Sequence, residues 1–130
     1  MSMWRKFAAS GLKNVDKAML RKACNELGFD FDESIKTVMD SYDSANVDAG
    51  FVDLETKKAI PIGFIFNEQE GLQISGDFWN YGCDEKTLTA EIAKTYQKHL
   101  IISQMEENDF TVDTVETNDK GEVVIEAYAC

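Results

Sequence analysis

The chain has 130 residues, 44% hydrophobic and 11% aromatic, enough to bury one sizeable core, which excludes a disordered chain and removes any need for disulfide staples. Its longest apolar run, residues 59–66, is far short of the roughly 20 residues a membrane helix needs. Thirteen bases against 24 acids give a net charge of −11, which disfavours general binding to nucleic-acid phosphates.

That charge is unevenly spread. Residues 1–22 hold six bases (Arg5, Lys6, Lys13, Lys17, Arg21, Lys22) against Asp16, whereas residues 23–130 hold seven bases against 23 acids. An acidic surface of this kind suits a basic partner or simple solubility. The basic pair Arg5-Lys6 is followed by no long apolar stretch, so a secretory signal is not expected. Cys24, Cys83 and Cys130 are odd in number and form no CxxC, which fits a reducing, cytoplasmic setting. No repeat, low-complexity stretch or linker divides the chain, so residues 1–130 read as a single domain.

The first helix is expected to start at Asn14 as N-cap and to stop at Gly28, a usual C′ residue. Val15, Ala18, Met19, Ala23 and Leu27, with Leu20 and Cys24 alongside, recur at helical spacing, leaving Lys13, Lys17, Arg21 and Lys22 as a basic face. Phe29 and Phe31 alternate with Asp30 and Asp32, while Ile35, Val38 and Met39 fit a short strand or a helical turn. A strand is expected to end near Leu54, before a polar turn at residues 55–58.

Residues 59–66 read as a strand, with Pro61 placing it at an edge or near a strand start. Asn67 to Gly71 forms a loop, and Leu72 to Ser75 alternates after it, so a hairpin follows. Asp84 is a natural N-cap for a second helix. Leu88, Ile92, Tyr96, His99, Leu100 and Ser103 trace one face of it, widened by Ile101, Ile102 and Met105. Residues 110–115 and 123–128 flank Asn118-Asp119-Lys120-Gly121 as a closing hairpin. The fold expected is α+β: a mainly antiparallel sheet of four to five strands, with two amphipathic helices packed on one face.

No motif carries a recognisable chemistry. Asp30, Asp32 and Glu33 break calcium-loop spacing because Ser34 and Ile35 follow. His99, the sole histidine, lacks the cysteines a zinc set would need, so no metal site is expected. No glycine-rich phosphate loop is present, and no cofactor is expected. The aromatic segment Asp77-Phe78-Trp79-Asn80-Tyr81 is the most distinctive. It reads either as a wedge between sheet and second helix or as part of a ligand or partner pocket. The pocket would be formed by Asp77, Trp79, Asn80, Tyr81, Tyr96 and His99.

Several short motifs recur in a fixed order: Ile62-Gly63-Phe64-x-Phe66-Asn67, Leu72, Asp77-x-Trp79, a helix bearing Tyr96 and His99, and the terminal hairpin. With Leu27-Gly28 and Ser41-Tyr42, this pattern resembles the hypothetical chloroplast reading frame thirty-five family, a domain of unknown function in plastids, cyanobacteria and other bacteria. The resemblance spans roughly Val15 to Tyr128. Ser41 stands where the family has glycine, Lys58-Ala59-Ile60-Pro61 replaces a glycine-tyrosine, and Asp109-Phe110 replaces Gly-Phe. The resemblance implies an architecture and an intracellular setting but no mechanism.

Three functions are carried forward. The first is a non-enzymatic binding or accessory protein that contacts another protein, a basic one included, with homodimerisation open and neither nucleic acid nor membrane expected. The second is an acidic, nucleic-acid-mimicking inhibitor of a DNA- or RNA-binding protein. The third is a small-ligand binder or enzyme centred on Trp79, Tyr96 and His99.

Overall fold

The computed structural model describes residues 4–8, 12, 14–39, 44–67, 69, 71–78 and 85–129. In chain order the elements are β1 (Trp4–Ala8), α1 (Lys17–Glu26), β2 (Phe29–Asp32), β3 (Thr37–Met39), β4 (Ser44–Asn46) and β5 (Ala49–Asp53). They continue with β6 (Ala59–Asn67), β7 (Gly71–Asp77), α2 (Glu85–Glu107), β8 (Phe110–Thr117) and β9 (Val123–Ala129). The fold is α+β. Five strands form one antiparallel sheet in the order β1-β7-β6-β5-β2, and β3-β4 and β8-β9 form separate two-stranded ladders.

α1 begins two residues later than the sequence suggests. Asp16 is the N-cap, its carboxylate accepting from the N–H groups of Ala18 and Met19 at 2.9 and 3.2 Å. Asn14 instead sits at φ 52°, a left-handed conformation that asparagine tolerates. The expected stop holds: Leu27 caps the helix and Gly28 follows at φ 95°.

The core lies between one face of the sheet and both helices. α1 contributes Leu20, Ala23 and Cys24, and α2 contributes Leu88, Ile92 and Tyr96. The sheet answers with Phe29, Phe31, Phe51, Ile62, Phe64, Leu72 and Ile74. Three of these rings are in continuous contact: Phe29 stacks on Phe51 at 4.5 Å, and Phe51 meets Phe64 edge-on at 4.7 Å. Aromatic pairs at these separations add to simple area burial.

β6 is a central strand, between β5 and β7, and Pro61 is its third residue, so this proline marks a strand start and not an edge. The physical reason is a bulge. Gly50 pairs with Gly63, but Phe51 then pairs with Ile60, so Pro61 and Ile62 are skipped on the β5 side. On the β7 side pairing starts at Ile62, and the missing proline N–H therefore breaks no ladder bond.

The other face of the sheet is covered by the residues around β3 and β4. Close packing there depends on glycine: a Cβ on Gly63 would meet the Ala49 carbonyl oxygen at 2.6 Å and Val47 at 2.7 Å. Side chains alternate along β7, so Gln73, Ser75 and Asp77, all buried, face this side while Leu72 and Ile74 face the helices.

The closing hairpin forms as expected, its turn tied by Asn118, whose side-chain oxygen accepts from the N–H groups of Lys120 and Glu122. It does not join the five-stranded sheet. It rests against the C-terminal half of α2, and the sheet reaches five strands through β1 and β2 instead.

Candidate functional site

The six residues singled out in the sequence do not converge in one pocket. Trp79, Asn80 and Tyr81 lie outside the described residues. Asp77 is buried on the face of β7 turned away from the helices. Tyr96 and His99 sit one turn apart on α2, at the seam with α1.

That seam is built of contacts that join the two helices. Tyr96 is 5% exposed, and its hydroxyl accepts a hydrogen bond from the Asp16 N–H at 3.0 Å. At the other end of α1, Lys98 Nζ reaches both carboxylate oxygens of Glu26 at 2.6 Å. His99 Nε2 lies 3.3 Å from the same carboxylate without hydrogen-bond geometry, an electrostatic contact when the ring is protonated. Partial burial pushes the Glu26 carboxyl up, but the Lys98 hydrogen bond and charge, with His99, outweigh it and hold the group below its ordinary value.

Other reactive side chains are likewise spoken for. Cys24 is buried, and desolvation, reinforced by Asp30, pushes its thiol far above the range where a thiolate forms. Arg21 holds Asp30 at 2.5 Å and the Phe31 carbonyl at 3.0 Å, with its guanidinium over the Phe31 ring. Asp32 accepts from the Ser34 N–H and hydroxyl, and Glu33 pairs with Lys17. A shallow cleft of about 440 Å³ between these acids and the turn at Asp53–Lys57 is lined by both charge signs. Among the described residues no group of three or more His, Cys, Asp or Glu is placed to hold a metal ion.

The feature only partly covered by the rest of the fold is the β8–β9 ribbon. Large apolar side chains stay in solvent there: Phe110, Val115, Val124 and Tyr128, with Ile101 of α2 beside them, are 40–57% exposed. The pairing of Phe110 with Ala129, Val112 with Ala127 and Val115 with Ile125 puts Phe110 and Val115 on one face, and Val124 and Tyr128 on the other. α2 covers only part of the first face, leaving a groove of about 280 Å³ bordered by Lys98, Ile101, Val123 and Ile125. Neither strand pairs with a further strand among the described residues.

The ribbon is also the most one-sided stretch in charge. From Glu106 to Glu126 there are eight carboxylates against the single Lys120. Glu106 and Glu107 occupy the last turn of α2, where the negative end of the helix dipole disfavours them, and no base lies in that turn.

One family model matches the chain, described as "Protein of unknown function (DUF1257)", over residues 23–125. The chain belongs to this family. Neither the search of curated proteins nor that of solved structures returned a match. The DUF1257 span opens inside α1 and closes inside β9, so it takes in four strands of the sheet, both sides of the helix seam and most of the ribbon. β1 and the Asp16 cap precede it.

Within this DUF1257 chain, sequence reasoning missed Glu26, Lys98 and Asp16, whose roles depend on contacts between distant segments. The ribbon was legible as a hairpin, and its acids could be counted. Its isolation from the sheet could not, because local pairing and turn chemistry are the same for a free ribbon and a sheet-bound one. No helix among the described residues is long and apolar enough to cross a membrane.

Proposed function

We propose that this DUF1257 protein is a non-enzymatic binding or accessory protein that works through contacts with another protein in the cytoplasm. One observation carries the reading: the exposed large apolar residues concentrate on a ribbon outside the main sheet, and its uncovered face is rimmed by acids. Exposed apolar clusters with polar rims are the usual mark of a protein contact. The Tyr96 hydroxyl, by contrast, is engaged in joining α1 to α2, which weakens the ligand-pocket reading. Asp77, Trp79, Asn80 and Tyr81 remain candidates for a second contact.

We also propose the finer family placement, as a divergent member of the hypothetical chloroplast reading frame thirty-five family, on Ile62-Gly63-Phe64-x-Phe66-Asn67, Asp77-x-Trp79 and the terminal hairpin. The DNA- or RNA-mimicking inhibitor is the second reading, favoured by the run of carboxylates along the ribbon.

A photo-crosslinking residue placed at Tyr128, compared with one at Lys57, tests the binding reading in the native host. The expected result is a discrete protein adduct from position 128 and none from 57. Equal yields from both positions, or no adduct from either, would overturn it. Competition then separates the two readings. Contact by a mimic is displaced by added nucleic acid, because the two share one basic site on the partner, whereas an accessory contact is not.

A further inference from the structure

We infer that the β8–β9 ribbon, together with the C-terminal turn of α2, docks an extended, basic segment of a partner protein, which adds to the ribbon as a further strand. The inference rests on the binding reading above and names its surface and the chemistry of its occupant.

Three independent observations converge on such an occupant. The first is an edge. A two-stranded ribbon is marginal on its own, and β8 and β9 are seven to eight residues long with no third strand beside them among the described residues. Open edges of this length are templates for strand addition, in which main-chain hydrogen bonds supply affinity and alternate side chains supply selectivity. The second is the uncovered apolar surface. Phe110 and Val115 extend beyond the part of their face that α2 covers, and Val124 and Tyr128 project from the opposite face. A strand added at the β8 edge would place its apolar side chains, which share one face, beside Phe110 and Val115, and its bases on the face that carries Glu116 and Glu126.

The third is charge, and it selects the occupant. Glu106, Glu107 and Asp109 gather at the C-terminal end of α2, while Asp113, Glu116, Glu122 and Glu126 flank the exposed apolar positions of the ribbon. A carboxylate in the last turn of a helix works against the dipole, so the free chain carries an electrostatic penalty that a bound cation would relieve. A second copy of this ribbon would bring the same net charge of −7 against itself, which disfavours self-pairing. A segment alternating Lys or Arg with Val, Ile or a similar residue satisfies the edge, the apolar face and the acids together.

The test uses the full chain and a fluorescent peptide of alternating Lys and Val, about ten residues long, as probe. Two controls accompany it: a Glu–Val peptide and a Lys–Ser peptide. Anisotropy titrations are run on the wild type and on two charge-matched triple variants. One carries Asp113→Asn, Glu116→Gln and Glu126→Gln on the ribbon; the other carries Glu33→Gln, Glu55→Gln and Glu91→Gln elsewhere. Binding of the Lys–Val peptide is expected to weaken about tenfold in the ribbon triple and less than about twofold in the other. The Lys–Ser peptide is expected to bind more weakly than Lys–Val, and the Glu–Val peptide not at all. Equal losses in the two triples, or equal binding of Lys–Val and Lys–Ser, would overturn the inference while leaving the crosslinking test of the binding reading intact.

A second measurement does not depend on the peptide adopting a strand. Glu106→Gln with Glu107→Gln is expected to raise the thermal midpoint of the free chain while weakening the Lys–Val contact severalfold. A double variant that is no more stable than wild type and binds the peptide as tightly would contradict the charge argument.

Discussion

The hydroxyl of Tyr96 accepts the backbone N–H of Asp16 at 3.0 Å, joining two residues 80 positions apart. The contact links α2 to the residue that caps α1, because the Asp16 carboxylate in turn accepts from the Ala18 and Met19 N–H groups. One buried phenol thus secures the start of the neighbouring helix. Tyr96→Phe keeps the ring in the core and removes only that acceptor. The expected cost is about 1–2 kcal/mol in urea unfolding, since a part-buried N–H loses its partner. The comparison Tyr128→Phe, at a solvent-facing ring, should leave the midpoint unchanged.

The position of the α1 cap yields a second test. Asp16→Ala should cost about 1 kcal/mol of stability, whereas Asn14→Gly, which keeps the left-handed backbone at φ 52° unstrained and removes the side chain, should not reproduce the loss of cap bonds. Helix content by circular dichroism under mild denaturant distinguishes the two. A larger loss from Asn14→Gly would restore the earlier helix start.

How much of this was legible in the sequence depends on the range of the interactions involved. Gly28 announced the end of α1, and Asn67–Gly71 and Asn118–Gly121 announced two hairpins, because turns and caps are local chemistry. β1 gave no such signal: Arg5-Lys6 interrupts Trp4, Phe7 and Ala8, and the strand exists by pairing with β7 about seventy residues later. Pro61 left edge and strand start open for the same reason, since the bulge that lets it stand near the start of a central strand is a property of the β5–β6 register. Tyr96 and His99 were correctly placed on the inward face of the second helix, but their partners Asp16 and Glu26 belong to another helix.

The sheet predicts where the fold is least forgiving. Phe64 is fully buried and its ring meets Phe31, Phe51 and Phe66, so Phe64→Ala should cost about 3–5 kcal/mol. Phe110→Ala, at a half-exposed ring of the ribbon, should cost far less and should instead weaken the Lys–Val contact. Gly63→Ala should cost about 1–3 kcal/mol, because the new methyl group presses on the Ala49 carbonyl and Val47. Chemical denaturation of the three variants side by side ranks them.

Acid should loosen the helix pair. The folded-state pKa of Glu26 lies below its ordinary value, so its contribution is present above the unfolded pKa, near 4.3, and is lost as pH falls through the folded value. The carboxylate is half in solvent, and the expected contribution is accordingly small, about 0.5 kcal/mol. Asp32, Glu33 and Asp53 shift in the same direction through hydrogen bonds to Ser34, Lys17 and Thr56 respectively, so stability should fall together below about pH 5. Glu26→Gln should flatten part of that decline. An unchanged pH dependence in the variant would show that the Lys98–Glu26 contact does not stabilise the fold.

The central claim is that the ribbon, and not the helix seam or the cleft beside Arg21, is the contact surface. Amide chemical-shift mapping of the isotope-labelled chain, titrated with the Lys–Val peptide, tests it most directly. The account predicts that the largest shifts fall between Ile101 and Ala129, led by Val115, Glu116, Val124 and Glu126. Shifts centred instead on Arg21, Asp30–Ser34 and Asp53–Lys57, with the ribbon amides unmoved, would contradict it.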